Sequence, residues 1–514
     1  MQSPAPVVLS ITGVTKRFGD LVANKAIDLE VRQGEILALL GENGAGKTTL
    51  MNILFGHYVA DEGRIQVAGH NGALQPLIAG SPQAALQAGI GMVHQHFALA
   101  ESLTVLENVV LGTGSLGAPT LHLPEARMKL HQIMCQSGLT ADPDARVSRL
   151  AVGERQRVEI LKVLYRGARI IVLDEPTAVL TPQEADGLFA VLRHLKAGGL
   201  SVIFISHKLR EVLAIADRIA VLRAGQKVAE RPVAGTDSAM LASLMVGREV
   251  PASRREAQAP GRPVLALERV TVPGIDGRAG LTEVSLEVRE GQIIGIAGVS
   301  GNGQAALASL IAGMTRLTAG SVHLFGASFK PSPRAAVRAG IGRIPEDRHH
   351  EGIVGSLTVA ENLVLESLAD PGVQHWGFLR FAAIRERARS AIAAFDVRCP
   401  GPDASVRLLS GGNIQKVILA RELGPEPRLV LANQPTRGLD VGATAEVHRR
   451  LLEARGRGAG VVLISEDLDE LLSLSDRIAV ITRGHLSPAE PVDDLTLERL
   501  GLMMAGDSAE DRAA

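Results

Sequence analysis

The chain repeats itself. Gly34-Glu35-Ile36-Leu37-Ala38-Leu39-Leu40-Gly41 reads against Gly291-Gln292-Ile293-Ile294-Gly295-Ile296-Ala297-Gly298, an offset of 257 residues (298 − 41). Farther on, Asp217-Arg218-Ile219-Ala220-Val221 returns as Asp476-Arg477-Ile478-Ala479-Val480, an offset of 259 (476 − 217). Between them Gly89-Ile90-Gly91 matches Gly340-Ile341-Gly342, and Glu107-Asn108 matches Glu361-Asn362. Similar architecture alone would share hydrophobic periodicity but not ordered pentapeptides, so the chain is two copies of one unit. The expected division is 1–247 and 264–506, with a Pro-bounded polar linker at 248–263 and a frayed tail at 507–514.

Within each half, aliphatic runs such as Ile36–Leu40, Ile170–Leu173 and Val202–Ile205 suit strands buried on both faces. Leu121–Ser137 and Ala382–Phe395 show helical spacing. Strands alternating with helices predict a mostly parallel α/β sheet in each half. The 54 basic and 55 acidic side chains leave a net charge of −1, which argues against a nucleic-acid-binding surface. Two cysteines exclude a disulfide scaffold or zinc cage and fit a reducing compartment. The N-terminus shows no secretory pattern, and no uncharged apolar run reaches the ~18 residues of a spanning helix, so a cytoplasmic location is expected.

Gly41-Glu42-Asn43-Gly44-Ala45-Gly46-Lys47-Thr48, followed by Thr49, fits the phosphate-loop pattern after a predicted strand. Its glycines let backbone N–H groups close on phosphate oxygens. Lys47 would reach the outer phosphates, and the Thr48 hydroxyl would bind Mg²⁺. Ile170-Ile171-Val172-Leu173-Asp174-Glu175 ends a buried strand in two carboxylates, delivered to the sheet edge where such folds bind ligands. Asp174 would hold the metal, and Glu175 would take a proton from attacking water.

Between these motifs lies Leu150-Ala151-Val152-Gly153-Glu154-Arg155-Gln156, and the second half carries Leu409-Ser410-Gly411-Gly412-Asn413. Together with the phosphate loop they resemble the ABC ATPases. The resemblance spans about Leu9 to Ala505 and implies two tandem P-loop NTPase domains, each with a helical subdomain and a small antiparallel β subdomain. It further implies that Gln95 contacts Mg²⁺ and water, that His207 contacts the terminal phosphate, and that Phe18 stacks on adenine. In the family two units pair head to tail, each site joining one unit's phosphate loop to the other's signature. Ser410, Gly411 and Gly412 would then serve the intact first site.

The second half departs from the pattern. Gly298, Gly301 and Gly303 keep the loop, but Gln304 replaces the lysine and Ala305 the hydroxyl. Asn433 and Gln434 stand for the two carboxylates, Glu466 for the histidine and Glu346 for Gln95. Losing one charge-assisted phosphate contact costs about 1.5–3 kcal/mol. One catalytic and one degenerate site are therefore expected.

Fused tandem units of this kind resemble the ATP-binding subunits of bacterial importers for simple sugars and nucleosides. Gly91-Met92-Val93-His94-Gln95-His96-Phe97, Val158-Glu159-Ile160-Leu161-Lys162 and Gln434-Pro435-Thr436-Arg437-Gly438-Leu439-Asp440-Val441-Gly442 are closest to the nucleoside branch. That implies ATP and Mg²⁺, two membrane permease subunits and an extracytoplasmic solute-binding protein as partners, and a place on the cytoplasmic face of the membrane. No nucleic acid is expected. The same motor for ribose, xylose or galactose is the alternative, and a ribosome-acting tandem ATPase a distant one. His94, His96, His349 and His350 read as loop residues and Arg254-Arg255 as a solvated pair. Trp376, Cys135 and Cys399 read as ordinary packing.

Overall fold

The computed structural model describes residues 5–69, 71–94, 97–113, 122–177, 180, 182–248, 255–274 and 279–505. The chain divides into two units, Met1–Val250 and Pro251–Ala514.

In the first unit the order is β1 (Val7–Phe18), β2 (Leu21–Arg32), β3 (Ile36–Leu40), α1 (Lys47–Leu54), β4 (Glu62–Ala68), β5 (Leu74–Pro76), α2 (Pro82–Gln87), β6 (Ile90–Val93) and α3 (Val105–Val110). There follow α4 (Leu123–Ser137), α5 (Val152–Tyr165), β7 (Ile170–Asp174), α6 (Pro182–Ala197), β8 (Ser201–Ile205), α7 (Leu209–Ile215), β9 (Arg218–Arg223), β10 (Gln226–Pro232) and α8 (Ser238–Val246). Strands β2-β1-β4-β5 form an antiparallel sheet; β10-β9-β3-β8-β7-β6 form the larger one, parallel except at β10. The fully buried β3 and β8 lie side by side within the sheet, which is why their apolar runs do not alternate. In that order β3 and β7 flank β8, so the phosphate loop and the β7 carboxylates emerge at one sheet edge.

The second unit repeats the plan. Ile341–Ile344, Leu429–Asn433, Gly460–Ser465, Ile293–Ala297 and Arg477–Thr482 run parallel in that order, with short antiparallel additions at the last strand. Leu281–Arg289, Pro263–Val272, Ala319–Leu324 and Ala327–Ser328 form its antiparallel sheet.

The repeated Glu-Asn pair has a structural cause. Glu107 closes a capping box with Thr104, and Glu361 does the same with Thr358. Buried Asn108 and Asn362 each clamp a preceding loop: Asn362 accepts from Val354 N–H (2.9 Å) and donates to the carbonyls of Val354 (3.1 Å) and Thr358 (2.9 Å).

Three expectations need correction. Arg255 is not a solvated linker charge, because it pairs with Asp493 at 2.5 Å and approaches Asp476, tying the chain before Pro263 to the second unit. Trp376 does not pack: it sits 88% exposed in the turn of the hairpin Gln374–His375/Phe378–Leu379. Cys135 is also exposed, whereas Cys399 packs against the core.

Candidate active site

The phosphate loop links the end of β3 to α1. Gly41 and Gly46 have φ of 152° and 98°, and a Cβ on either would lie 2.3 Å from the Leu222 carbonyl or 2.4 Å from that of Ala23. Only glycine fits both the dihedrals and the clearance. The Asn24 amide donates to Gly46 O (3.1 Å), holding the loop against β2. Lys47 is 9% exposed and donates to the carbonyls of Gly41 (2.6 Å) and Glu42 (3.0 Å). Asn43, Gly44 and Thr48 face solvent at the mouth, with Ala45 buried beneath and Thr49 half-buried.

Asp174 ends β7, and Glu175 follows with φ of 48°, an unfavourable dihedral for a side chain of this size. Its N–H donates to Ile205 O (2.9 Å), so the neighbouring strand enforces the turn. His207 Nδ1 lies 3.0 Å from Glu175 Oε1; with a carboxylate as acceptor the ring nitrogen is the donor. The two acids are driven apart in acidity. The His207 hydrogen bond holds the Glu175 carboxyl below its ordinary value, while burial and the Glu175 charge push Asp174 up against the pull of Lys47. A hydroxyl and a carboxylate are oxygen donors of the kind a hard divalent cation takes, and Thr48 and Asp174 would supply them. Gln95 lies outside the described residues.

Phe18, 44% exposed, closes β1; Tyr58 meets its ring edge-on at 5.5 Å. Sequence reasoning missed Tyr58. It also missed Glu211, whose carboxylate takes the hydroxyls of Thr177 (2.5 Å) and Ser206 (3.2 Å) and so ties the β7 and β8 ends together. The offset of 259 supplies the signal, because Glu470 takes Thr436 in the same way (2.9 Å). His94 stacks on His57 against Phe55, and His349 and His350 lie in a turn capped by Asp347.

In the second unit Gln434 has φ of 49° and donates to Ile464 O (2.8 Å), reproducing the Glu175 backbone without its charge. Its amide oxygen accepts from Glu466 N–H (3.3 Å). Asn433 ends its strand, Ala305 is exposed, and Glu346 pairs with Arg437. Ser410 stands at the N-cap position of the helix Gly411–Leu423 without a side-chain cap bond, and the Asn413 amide donates to its hydroxyl (2.9 Å). Arg348 donates to the carbonyls of Arg437 (2.8 Å) and Gly438 (3.3 Å) and lies against Gly411. The motif Ile344-Pro345-Glu346-Asp347-Arg348 thus braces this signature turn.

Residues 24–178 and 281–437 match the ABC transporter family. The chain belongs to that family. The protein is an ATPase of that family, and its fold is two such cassettes. Over nearly their full lengths the chain is similar to three import subunits. The nucleoside import ATP-binding protein NupA of Lactococcus lactis subsp. cremoris is 44% identical, with 97% of this chain and 98% of the relative covered. The glucose import ATP-binding protein TsgD13 of Haloferax volcanii is 44% identical, with 97% and 96% covered. The guanosine import ATP-binding protein NupO of Bacillus subtilis is 43% identical, with 98% of each covered.

Proposed function

We propose that this ABC protein is the ATP-hydrolysing subunit of an importer and that its cargo is a nucleoside. The observation that carries the catalytic reading is the hydrogen-bonded Glu175–His207 pair beside Asp174 and Lys47, at the edge where the phosphate loop opens. Glu175, kept ionised, accepts a proton from water as the water oxygen attacks the γ-phosphorus. The bond to the β-phosphate oxygen breaks, and ADP and phosphate leave. His207 orients the base, Lys47 and the loop residues Gly41–Thr49 hold the phosphates, and Phe18 takes the adenine face. Ser410, Gly411 and Gly412 are assigned to nucleotide contact on family resemblance. Mg²⁺, held by Thr48 and Asp174 with Gln95, would neutralise charge on the outer phosphates.

Among the described residues no helix is long and apolar enough to cross a membrane. On the likeness to import ATP-binding proteins, the work of hydrolysis passes to separate permease subunits, with the chain on the cytoplasmic face and a solute-binding protein outside. A simple sugar is the second reading for the cargo, favoured by the equal identity to the glucose import protein. Uptake of labelled guanosine, adenosine, ribose and xylose, with and without Lys47→Ala, tests both. Loss of nucleoside uptake alone is expected. Loss of pentose uptake instead would overturn the cargo assignment, and no change would overturn the importer.

A further inference from the structure

We infer that the phosphate loop of the second unit is closed from within by two of its own side chains, Gln304 and Asn302, and takes no nucleotide phosphate. This goes beyond the loss of a lysine. A missing charge weakens a site, whereas these side chains occupy it.

Gln304 is 8% exposed and folds back over its own loop. Its Nε2 donates to Val299 O (2.8 Å), the place that Lys47 contacts at Glu42 O in the first unit. Its Oε1 does what no lysine can: it accepts the N–H of Asn302 at 3.0 Å. At the equivalent position of the first unit Ala45 N–H turns back to a backbone acceptor, Glu42 O (3.1 Å). An amide oxygen aimed into the loop has the same sign of partial charge as a phosphate oxygen, so it opposes the ligand that the loop would otherwise attract.

Asn302 adds a second lock where the first unit has Ala45. Its Nδ2 donates to Val299 O (3.0 Å), and its Oδ1 accepts from Arg483 N–H (2.9 Å), stapling the loop to the following strand turn. The Gln304 amide also lies 2.6 Å from where a Cβ on Gly298 would stand, so it covers the floor of the loop. Both locks lie inside the second unit. They hold the loop in its folded form without a ligand, which lets this half keep its architecture while nucleotide exchanges at the first.

Calorimetric titration of the full chain with Mg·ADP reads the stoichiometry. One nucleotide per chain is expected for the wild type, and two for the triple variant N302A/Q304K/A305T, which restores the first unit's residues. Two in the wild type, or an unchanged count in the variant, would overturn the inference. Because the inference is read from the difference, zero in the wild type and one in the variant would sustain it while sinking the ATPase reading proposed for the first site. Should the triple variant fold poorly, amide exchange at Asn302 in nucleotide-free Gln304→Ala decides. Exchange at least tenfold faster than in the wild type is expected, and unchanged protection would refute the lock.

Discussion

Glu175→Gln isolates the proton-accepting role, because the molecule already shows that its backbone accepts glutamine there. Gln434 occupies the equivalent turn at φ 49° against 48°, with its N–H on Ile464 O at 2.8 Å against 2.9 Å for Glu175 on Ile205 O. The amide oxygen of the variant can still accept from His207, so shape and orientation persist while proton acceptance is lost. A positioned general base contributes about 10²–10⁴-fold, or roughly 2.7–5.4 kcal/mol of barrier. Steady-state ATPase activity should fall by that factor, with ATP affinity retained and ATP left intact in the site. Removing the Glu175 charge also withdraws one of the two causes that push the Asp174 carboxyl up, burial being the other, so Asp174 should titrate at lower pH in the variant. Thermal unfolding should stay close to wild type. Turnover above about a tenth of wild type would refute the assignment of the base, and a large drop in melting temperature would refute the argument from the second unit.

Other substitutions probe the surroundings. His207→Ala removes the hydrogen bond that depresses the Glu175 carboxyl, so burial then dominates and its titration moves up. Activity that needs the ionised form is present above that value and lost below it, so the acid limb of kcat/KM against pH should shift to higher pH; an unmoved limb would contradict the pairing. Asn362→Leu leaves the Val354 N–H and two carbonyls without their buried partner, costing about 3 kcal/mol. At about 2–4 °C per kcal/mol the melting temperature of the second unit should fall by roughly 6–12 °C in a calorimetric scan. Gly46→Ala forces a Cβ to 2.4 Å from Ala23 O at a left-handed dihedral, and direct titration should show nucleotide affinity lost at the first site. Gln434→Ala should leave turnover within about twofold, since that side chain carries no charge to lose.

Much of the site was legible because a buried parallel strand is a short, continuous apolar run. Whatever follows it lies at the sheet edge. Gly41–Thr48 after Ile36–Leu40, and Asp174-Glu175 after Ile170–Leu173, could be placed on that rule, and the offset between the copies located their altered counterparts. The sequence by itself therefore determined the duplication, the two parallel sheets, and which half keeps lysine, acids and histidine. Tertiary structure decided what holds those groups. Glu211 reaches Thr177 across 34 positions and Arg348 reaches Arg437 across 89, so no local pattern announces either. Trp376 reads as packing in the sequence, yet its two-residue hairpin turn carries it into solvent. In the second loop, the sequence revealed only that the lysine and the hydroxyl were replaced. That Gln304 turns its oxygen onto Asn302 N–H depends on a side-chain rotation within the folded loop, and direction is the property of a hydrogen bond that a linear sequence does not carry.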